Sequence, residues 1–141
     1  MNYGDFKKKT SEELNAFTKK YCFWAFGRDQ LNAKLQELGI TEEEMRQKYV
    51  GFYGGAILAD KVKDYEALSD KHFKQLKEYL KDEKFAYSAF RYELSNHEYG
   101  YTYDEAPALR ALCLTAREVS ENETLRRAFV KAAADVKEAT C

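Results

Sequence analysis

The chain has 141 residues, of which 45% are hydrophobic, 33% charged and 15% aromatic. This composition is typical of a globular domain and excludes a disordered or fibrous chain. The 23 Lys and Arg residues nearly balance the 24 Asp and Glu residues, and the formal net charge is -1. Proteins that mainly bind nucleic acid usually carry a large positive excess, so we do not expect nucleic acid as the main partner.

The length indicates a single domain over residues 1–141, with a flexible N-terminal segment at residues 1–10. No run approaches the roughly 18 consecutive apolar residues that a membrane span needs. Residues 1–9 are polar and end in three lysines, a pattern that does not fit a secretory signal peptide. We therefore expect a cytoplasmic protein of a bacterial cell, with no membrane partner.

The cysteines also favour a reducing compartment. Cys22, Cys113 and Cys141 are far apart and odd in number, so neither a zinc motif nor a redox pair is indicated. Cys22 and Cys113 have apolar neighbours, and we expect both in the core. Cys141 is expected to be mobile.

The first half of the chain begins with helical signals. A short helix is predicted from Ser11 towards Tyr21, followed by an apolar run at 22–26 that is too short to classify. Asp29 is expected to cap a helix that ends near Leu38, where the next residue is a glycine. Thr41 and Glu44 then form a capping-box pattern, which predicts another short helix.

Residues 49–58 break the helical pattern. The segment is aromatic and β-branched, and it contains the pair Gly54-Gly55. These features predict a short β-hairpin, or an extended segment packed on helices. A phosphate-binding loop is not indicated, because no helix follows at the required spacing and no Lys-Ser/Thr pair is present.

The second half has apolar residues that recur every three or four positions, which predicts further helices. In order, these are a helix from Asp64 to about Leu80, one from Asp82 that stops at Gly100, a short one capped by Asp104, one that starts at the capping-box pair Thr115 and Glu118, and one over 122–139. The predicted fold class is therefore mainly α (α+β): a compact bundle of five to six helices with one short β-hairpin around residues 49–58.

The clearest chemical pattern is the pair Glu93 and His97. The two residues are four positions apart on a predicted helix, so their side chains share one face. That face is otherwise apolar, and burying a carboxylate or an imidazole without a partner costs several kcal/mol. One interpretation is a buried Glu-His-Tyr network that stabilises the fold. The other is a site in which His97 acts as a base or ligand and Glu93 orients it.

Tyrosines form the second pattern. Tyr99, Tyr101 and Tyr103 alternate, so an extended segment would place all three on one side. They either pack in and near the core or form a recognition surface, because Tyr is common at binding hot spots. Acidic neighbours, among them Asp104, make nucleic acid the weaker partner for this surface.

The stretch from Ala89 to Leu114 resembles an uncharacterised family of small proteins found in bacteria, their phages and mobile elements. It contains YELSNHEYGYTYD, followed by paired leucines at Leu109 and Leu112. The Phe-Trp-Ala-Phe segment with Gln30, and the Gly54-Gly55 pair, resemble it as well. The resemblance implies no activity, but it does imply a mobile-element setting, in which small proteins often bind and block a host machine.

Three functions follow as hypotheses. The first is a non-enzymatic phage or mobile-element accessory protein that binds and inhibits a host protein, such as a CRISPR-Cas nuclease. The second is a small-molecule or nucleotide-binding module, in which the glycine pair and the tyrosines wall a pocket with Glu93 and His97 at its base. The third is a metal-dependent hydrolase that uses Glu93, His97 and Asp104.

We expect no enzyme activity, no cofactor and no bound metal, and a homodimer is a further expectation because leftover apolar surface promotes association. The candidate binding residues are Glu93, Asn96, His97, Tyr99, Tyr101, Tyr103, Asp104, Gly54 and Gly55.

Overall fold

The computed structural model describes residues 1–140. The protein is mainly α-helical, as predicted, but residues 1–140 form nine α-helices rather than five to six, together with one three-stranded sheet. The chain divides into two compact units. One consists of residues 1–10 together with the chain from Lys71 onward, and the other consists of residues 11–70.

The elements are, in chain order, α1 (Tyr3–Tyr21), β1 (Cys22–Phe23), α2 (Arg28–Leu38), α3 (Glu42–Lys48), β2 (Tyr49–Phe52), β3 (Gly55–Leu58), α4 (Val62–Tyr79), α5 (Glu83–Asn96), α6 (Tyr99–Thr102), α7 (Ala106–Ala111), α8 (Ala116–Glu121) and α9 (Glu123–Thr140). A short 3-10 turn, Ala59–Lys61, precedes α4. None of the described helices is long and apolar enough to cross a membrane.

The unit of residues 11–70 is built on an antiparallel sheet with the strand order β1-β3-β2. The predicted hairpin is confirmed, because β2 and β3 pair from Tyr49 opposite Leu58 to Phe52 opposite Gly55. Tyr53 and Gly54 connect them with φ angles of 46° and 80°. Positive φ at both positions is typical of a tight type I′ turn, whose twist matches that of the strands.

The helices of this unit begin and end largely at the predicted residues. The capping box of Thr41 and Glu44 is present at the start of α3. Gly39 ends α2 in the left-handed conformation. The prediction for Asp29 is wrong, because Gly27 is the N-cap of α2 and no side chain caps it. Asp29 lies instead in the first turn, where its negative charge still interacts favourably with the helix dipole.

The other unit has its core between α5 and α9, which pack along their lengths. The buried residues on these two helices combine bulky side chains with alanines, which allow the backbones to approach closely. They include Phe90 and Leu94 on α5, and Ala128, Ala132 and Val136 on α9.

The N-terminus differs from the expected flexible segment. Residues 3–10 are helical, and Tyr3 and Phe6 are buried. Their rings pack edge-on against Phe85, with centroid distances of 6.0 and 5.9 Å. Burial of two aromatic rings stabilises this segment by a few kcal/mol, on the order of 2 for each ring, which explains why it is ordered.

The predicted stop of the long helix at Gly100 is also wrong. α5 ends at Asn96, and Gly100 lies inside the short helix α6. Glu98 and Tyr103 flank α6 in the left-handed conformation, which interrupts the helical path on both sides. Gly100 is required for packing, because a Cβ at this position would overlap the side chain of Thr140 on α9.

Two further predictions need correction. Asp104 is not the N-cap of α7; Glu105 occupies that position, and the Asp104 carboxylate accepts a hydrogen bond from the Ala106 amide at 3.0 Å. Cys113 is exposed rather than in the core, because it follows α7 in the left-handed conformation with a φ of 55°. Cys22 is half-buried, and Cys141 lies outside the described residues.

Candidate functional site

Glu93 is the one charged residue among residues 1–140 whose side chain is completely buried, with 0% of its surface exposed. The hydroxyl of Tyr3 donates a hydrogen bond to Oε1 at 2.7 Å, and the Lys7 ammonium donates another to the same oxygen at 2.7 Å. His97 Nε2 lies 3.3 Å from Oε2. We call Tyr3, Lys7, Glu93 and His97 the Glu93 cluster.

The charge of Glu93 is stabilised by its neighbours. Burial alone would raise the pKa of this carboxyl, but the hydrogen bonds from Lys7 and Tyr3 and the charge of Lys7 hold its pKa below the usual range. Burial and the bond to Glu93 in turn raise the pKa of Tyr3. At neutral pH the centre of the cluster is therefore an ionised carboxylate next to an ammonium and a neutral phenol.

The second carboxylate oxygen is less well satisfied. Oε2 is buried and accepts no hydrogen bond. The imidazole of His97 is close to it and adds an opposite charge when it is protonated. His97 is the C-cap of α5, and its side chain is partly open to solvent, so this contact is weaker than those of Tyr3 and Lys7.

The cluster joins the first turns of α1 to α5. Glu93 and His97 lie close together, as their spacing predicts, but the tyrosine is Tyr3 and a lysine takes part as well. Tyr3 and Lys7 were not expected, since they lie 90 and 86 positions before Glu93. The available signal was the spacing Tyr3-Phe6-Lys7, which places two aromatic residues and a lysine on one face of a helix.

The three alternating tyrosines do not share one face. Tyr99 is buried, whereas Tyr101 is 78% exposed and Tyr103 is largely exposed. The segment is helical rather than extended, so alternation no longer places side chains together. The ammonium of Lys137 lies over the ring of Tyr103, 5.1 Å from its centroid.

Neither Asn96 nor Asp104 is among the hydrogen-bond partners of the Glu93 carboxylate. Asn96 borders an open depression of about 370 Å³ with Arg91, Tyr92 and Ser95. Asp104 is engaged in a backbone turn.

Gly54 and Gly55 belong to the unit of residues 11–70. They border a cavity of about 330 Å³, whose other lining residues include Arg28 and Met45.

Among residues 1–140, no group of three or more His, Cys, Asp or Glu side chains is arranged to hold a metal ion. The hypothesis of a metal-dependent hydrolase on Glu93, His97 and Asp104 therefore has no ligand set in this part of the chain.

A cluster of aromatic side chains lies around the hairpin. Phe52 contacts Trp24, Tyr53 and Tyr65, with ring centroids 6.1, 4.7 and 4.8 Å away. Trp24 Nε1 donates a hydrogen bond to the Tyr53 carbonyl at 3.3 Å. We call Trp24, Phe52, Tyr53 and Tyr65, together with the exposed Phe26 two positions after Trp24, the aromatic surface.

Gly55 makes room for the indole in this cluster. A Cβ on Gly55 would lie 2.6 Å from Trp24 Cδ1 and 2.5 Å from the Phe23 carbonyl oxygen. These distances are far below an ordinary contact, so only glycine allows the indole to lie against the sheet at this point.

Much of the aromatic surface is open to solvent. Tyr53 is 79% exposed and Phe26 is 73% exposed, and part of Trp24 is exposed as well. Large apolar side chains at these exposures are unusual when they cluster, and such clusters mark sites of interaction.

Comparison with known protein families identifies a related family. A protein family of unknown function, DUF7659, matches residues 2–135. The chain belongs to this family. The predicted membership of an uncharacterised family is thus confirmed at that level. No curated protein and no solved structure matches the chain.

Both features lie within the part that DUF7659 covers. Sequence reasoning found Glu93, His97 and the glycine pair, but it did not select Trp24, Phe26 and Tyr53 as candidate site residues. Their signal was present as a dense apolar run at 22–26 and a tyrosine in the centre of a tight turn.

Proposed function

We propose that this member of DUF7659 works without catalysis, by binding another protein through the aromatic surface. The observation that carries the proposal is the exposure of Trp24 and Tyr53 at one hairpin, where the Trp24 indole is hydrogen-bonded to the Tyr53 carbonyl. Phe26, two positions after Trp24, is exposed as well. Trp and Tyr are the residues most enriched at hot spots, because they bury large areas with few rotatable bonds.

The rigidity of the surface supports the proposal. Trp24 is hydrogen-bonded to the turn and lies against Gly55, and Phe52 contacts three other rings. Side chains that are fixed before binding lose little conformational entropy when a partner covers them. The surface therefore has the properties of a preformed contact site.

The Glu93 cluster supports a structural role more than a catalytic one. Its carboxylate is completely buried and already holds two hydrogen bonds from this chain. A general base or its orienting group must lie within hydrogen-bond reach of a substrate proton. Only Lys7 and His97 of this cluster reach solvent.

We further propose that the setting is the bacterial cytoplasm and that the partner is a host protein. This step depends on the resemblance to proteins of phages and mobile elements. In that setting a defence effector, such as a CRISPR-Cas nuclease, is the specific candidate, and binding would block its action.

A second candidate function is binding of a small molecule in the cavity beside Gly54 and Gly55. Its volume of about 330 Å³ lies at the lower end of the range for ligand pockets. Arg28 borders it and is paired with Glu42 at 2.9 Å. A ligand here would stabilise the protein against heat, which a screen of nucleotides and metabolites by thermal shift would detect.

The protein-binding proposal is tested by quantitative affinity capture from bacterial lysate, followed by mass spectrometry. Phe26→Ser and Tyr53→Asn remove exposed rings, and asparagine tolerates the positive φ of Tyr53. Each ring is expected to contribute 2 kcal/mol or more, so capture of a stoichiometric partner should fall about thirtyfold or more.

Tyr101→Asn is the matched control, because Tyr101 is as exposed as Tyr53 but lies on α6. Capture should be unchanged in this variant. Equal loss in Tyr53→Asn and Tyr101→Asn, or equal capture by all variants and the wild type, would contradict the proposal.

A further inference from the structure

Strand β2 is a free edge of the sheet. In the described part of the chain it pairs with β3 on one side and has no strand on the other. Val50 is 44% exposed and Gly51 is exposed as well. An open edge of this kind presents unpaired backbone groups to another chain.

The turn determines which backbone groups point outwards. In a hairpin with a two-residue turn, the residues next to the turn form a hydrogen-bonded pair, here Phe52 and Gly55. Hydrogen-bonded and non-hydrogen-bonded pairs alternate, so Val50 and Ile57 form the next bonded pair. The N–H and C=O of Gly51 therefore point away from β3.

Glycine at position 51 has no explanation within the chain. Its φ lies outside the left-handed region, and a Cβ at this position would meet no atom within 4 Å. Glycine also weakens a strand relative to other residues. Position 51 therefore accepts a side chain within the chain, and a variant here probes the strand edge alone.

The edge also lacks the usual protection. Edge strands are commonly blocked by charged side chains, proline or bulges. The segment from Tyr49 to Leu58 contains no charged residue and no proline, and β2 pairs with β3 without a bulge. The nearest charge along the chain before it is Lys48.

We propose that a second copy of this chain pairs antiparallel with β2, with Gly51 opposite Gly51 of the second copy. The two glycines then exchange two backbone hydrogen bonds through their outward groups. The two-fold symmetry makes the contact closed and self-complementary, as in most homodimers.

The register places apolar side chains opposite one another. Val50 lies opposite Phe52 of the second copy, in a non-hydrogen-bonded position where side chains are closest. Phe52 belongs to the aromatic surface, and Val50 lies on the same face of β2, so Val50 extends this surface towards the second copy.

Charge does not oppose a second copy in this register. The two Lys48 residues lie six positions apart along the paired strands, which is about 20 Å. At physiological salt this distance exceeds the screening length of about 8 Å, so they do not repel each other strongly. The association does not depend on the proposed function, because it uses the strand edge rather than the exposed rings of Phe26 and Tyr53.

Sedimentation velocity of the full chain, from micromolar to submillimolar concentration, tests this inference. The wild type should shift from monomer to dimer as concentration rises. Gly51→Pro removes the outward N–H of both copies without removing a hydrogen bond within the chain, so the dimer should weaken about tenfold to thirtyfold. Gly51→Ala keeps the N–H, and its methyl group enters open space, so dimerisation should be unchanged.

A second pair of variants covers the case in which Gly51→Pro does not fold. Val50→Lys places a charge on the edge and should weaken the dimer, whereas Val130→Lys, on a more exposed position of α9, should not. A wild type that stays monomeric at all concentrations, or a Gly51→Pro dimer as stable as the wild type, would overturn the inference.

Discussion

The Glu93 cluster and the aromatic surface invert the usual distribution of side chains. In the first, a charged group is buried and paired, and in the second, apolar rings are exposed and fixed. A buried carboxylate is stabilised only by the partners it already has, so it contributes to the fold. Exposed rings keep their binding capacity for a partner outside the chain. In our proposal, the first region stabilises the fold and the second recognises a partner.

The largest loss of stability is expected from the substitution Lys7→Ala. This change leaves the carboxylate of Glu93 buried without its ammonium partner, which typically costs about 3–5 kcal/mol of unfolding free energy. The partial exposure of Lys7 places the expected loss near the lower end, at about 3 kcal/mol. Urea unfolding followed by circular dichroism measures it.

Lys8→Ala is the matched control, because Lys8 is adjacent but exposed. Its effect should stay within about 0.5 kcal/mol. Equal stabilities of the two variants would mean that Lys7 does not compensate Glu93.

The next effect is expected from Gly55→Ala, in the aromatic surface. The added methyl group overlaps Trp24 and the Phe23 carbonyl, so the indole must move, at a cost of about 1–3 kcal/mol. Partner capture should fall together with stability, unlike in Lys7→Ala. Gly51→Ala, which meets no atom within 4 Å, serves as the control for both readouts.

Local signals made much of the fold predictable. The capping boxes of Thr41 and Thr115 and the hairpin depend on residues within nine positions of one another, and all are present. The hydrogen-bond partners Tyr3 and Lys7 lie 90 and 86 positions before Glu93, and no local sequence pattern predicts a contact over such a separation. The exposure of Cys113 could not be predicted either, because it follows from a left-handed conformation at a non-glycine residue.

Acid is expected to have a smaller effect on the free energy of unfolding. The pKa of Glu93 is lower in the folded protein than the ordinary value of about 4.3, so its contribution is fully present above that pH. The contribution is lost as pH falls through the folded pKa, since the folded state then takes up the proton as well. Unfolding free energy should therefore fall below about pH 4.3.

Other carboxyls, such as Glu118, also have lowered pKa values and contribute to the same pH dependence. The variant Glu93→Gln separates the contribution of Glu93 from theirs. The difference in unfolding free energy between the wild type and Glu93→Gln should narrow as the pH falls. A difference that stays constant down to the acid transition would show that Glu93 does not carry the dependence.

The smallest effect is expected from His97→Ala. The imidazole lies 3.3 Å from Oε2 and is partly exposed, so its loss should lower stability by about 0.5–1 kcal/mol. Partner capture by the folded protein should be unchanged. Loss of capture without loss of stability would instead place recognition at the Glu93 cluster.

The most direct test of this division compares Lys7→Ala with Tyr53→Asn in both readouts, urea unfolding and partner capture. We predict that Lys7→Ala loses about 3 kcal/mol of stability and still captures the partner when folded. Tyr53→Asn should keep its stability within about 0.5 kcal/mol and lose the partner. The reverse pattern, with capture lost in Lys7→Ala and retained in Tyr53→Asn, would contradict the account.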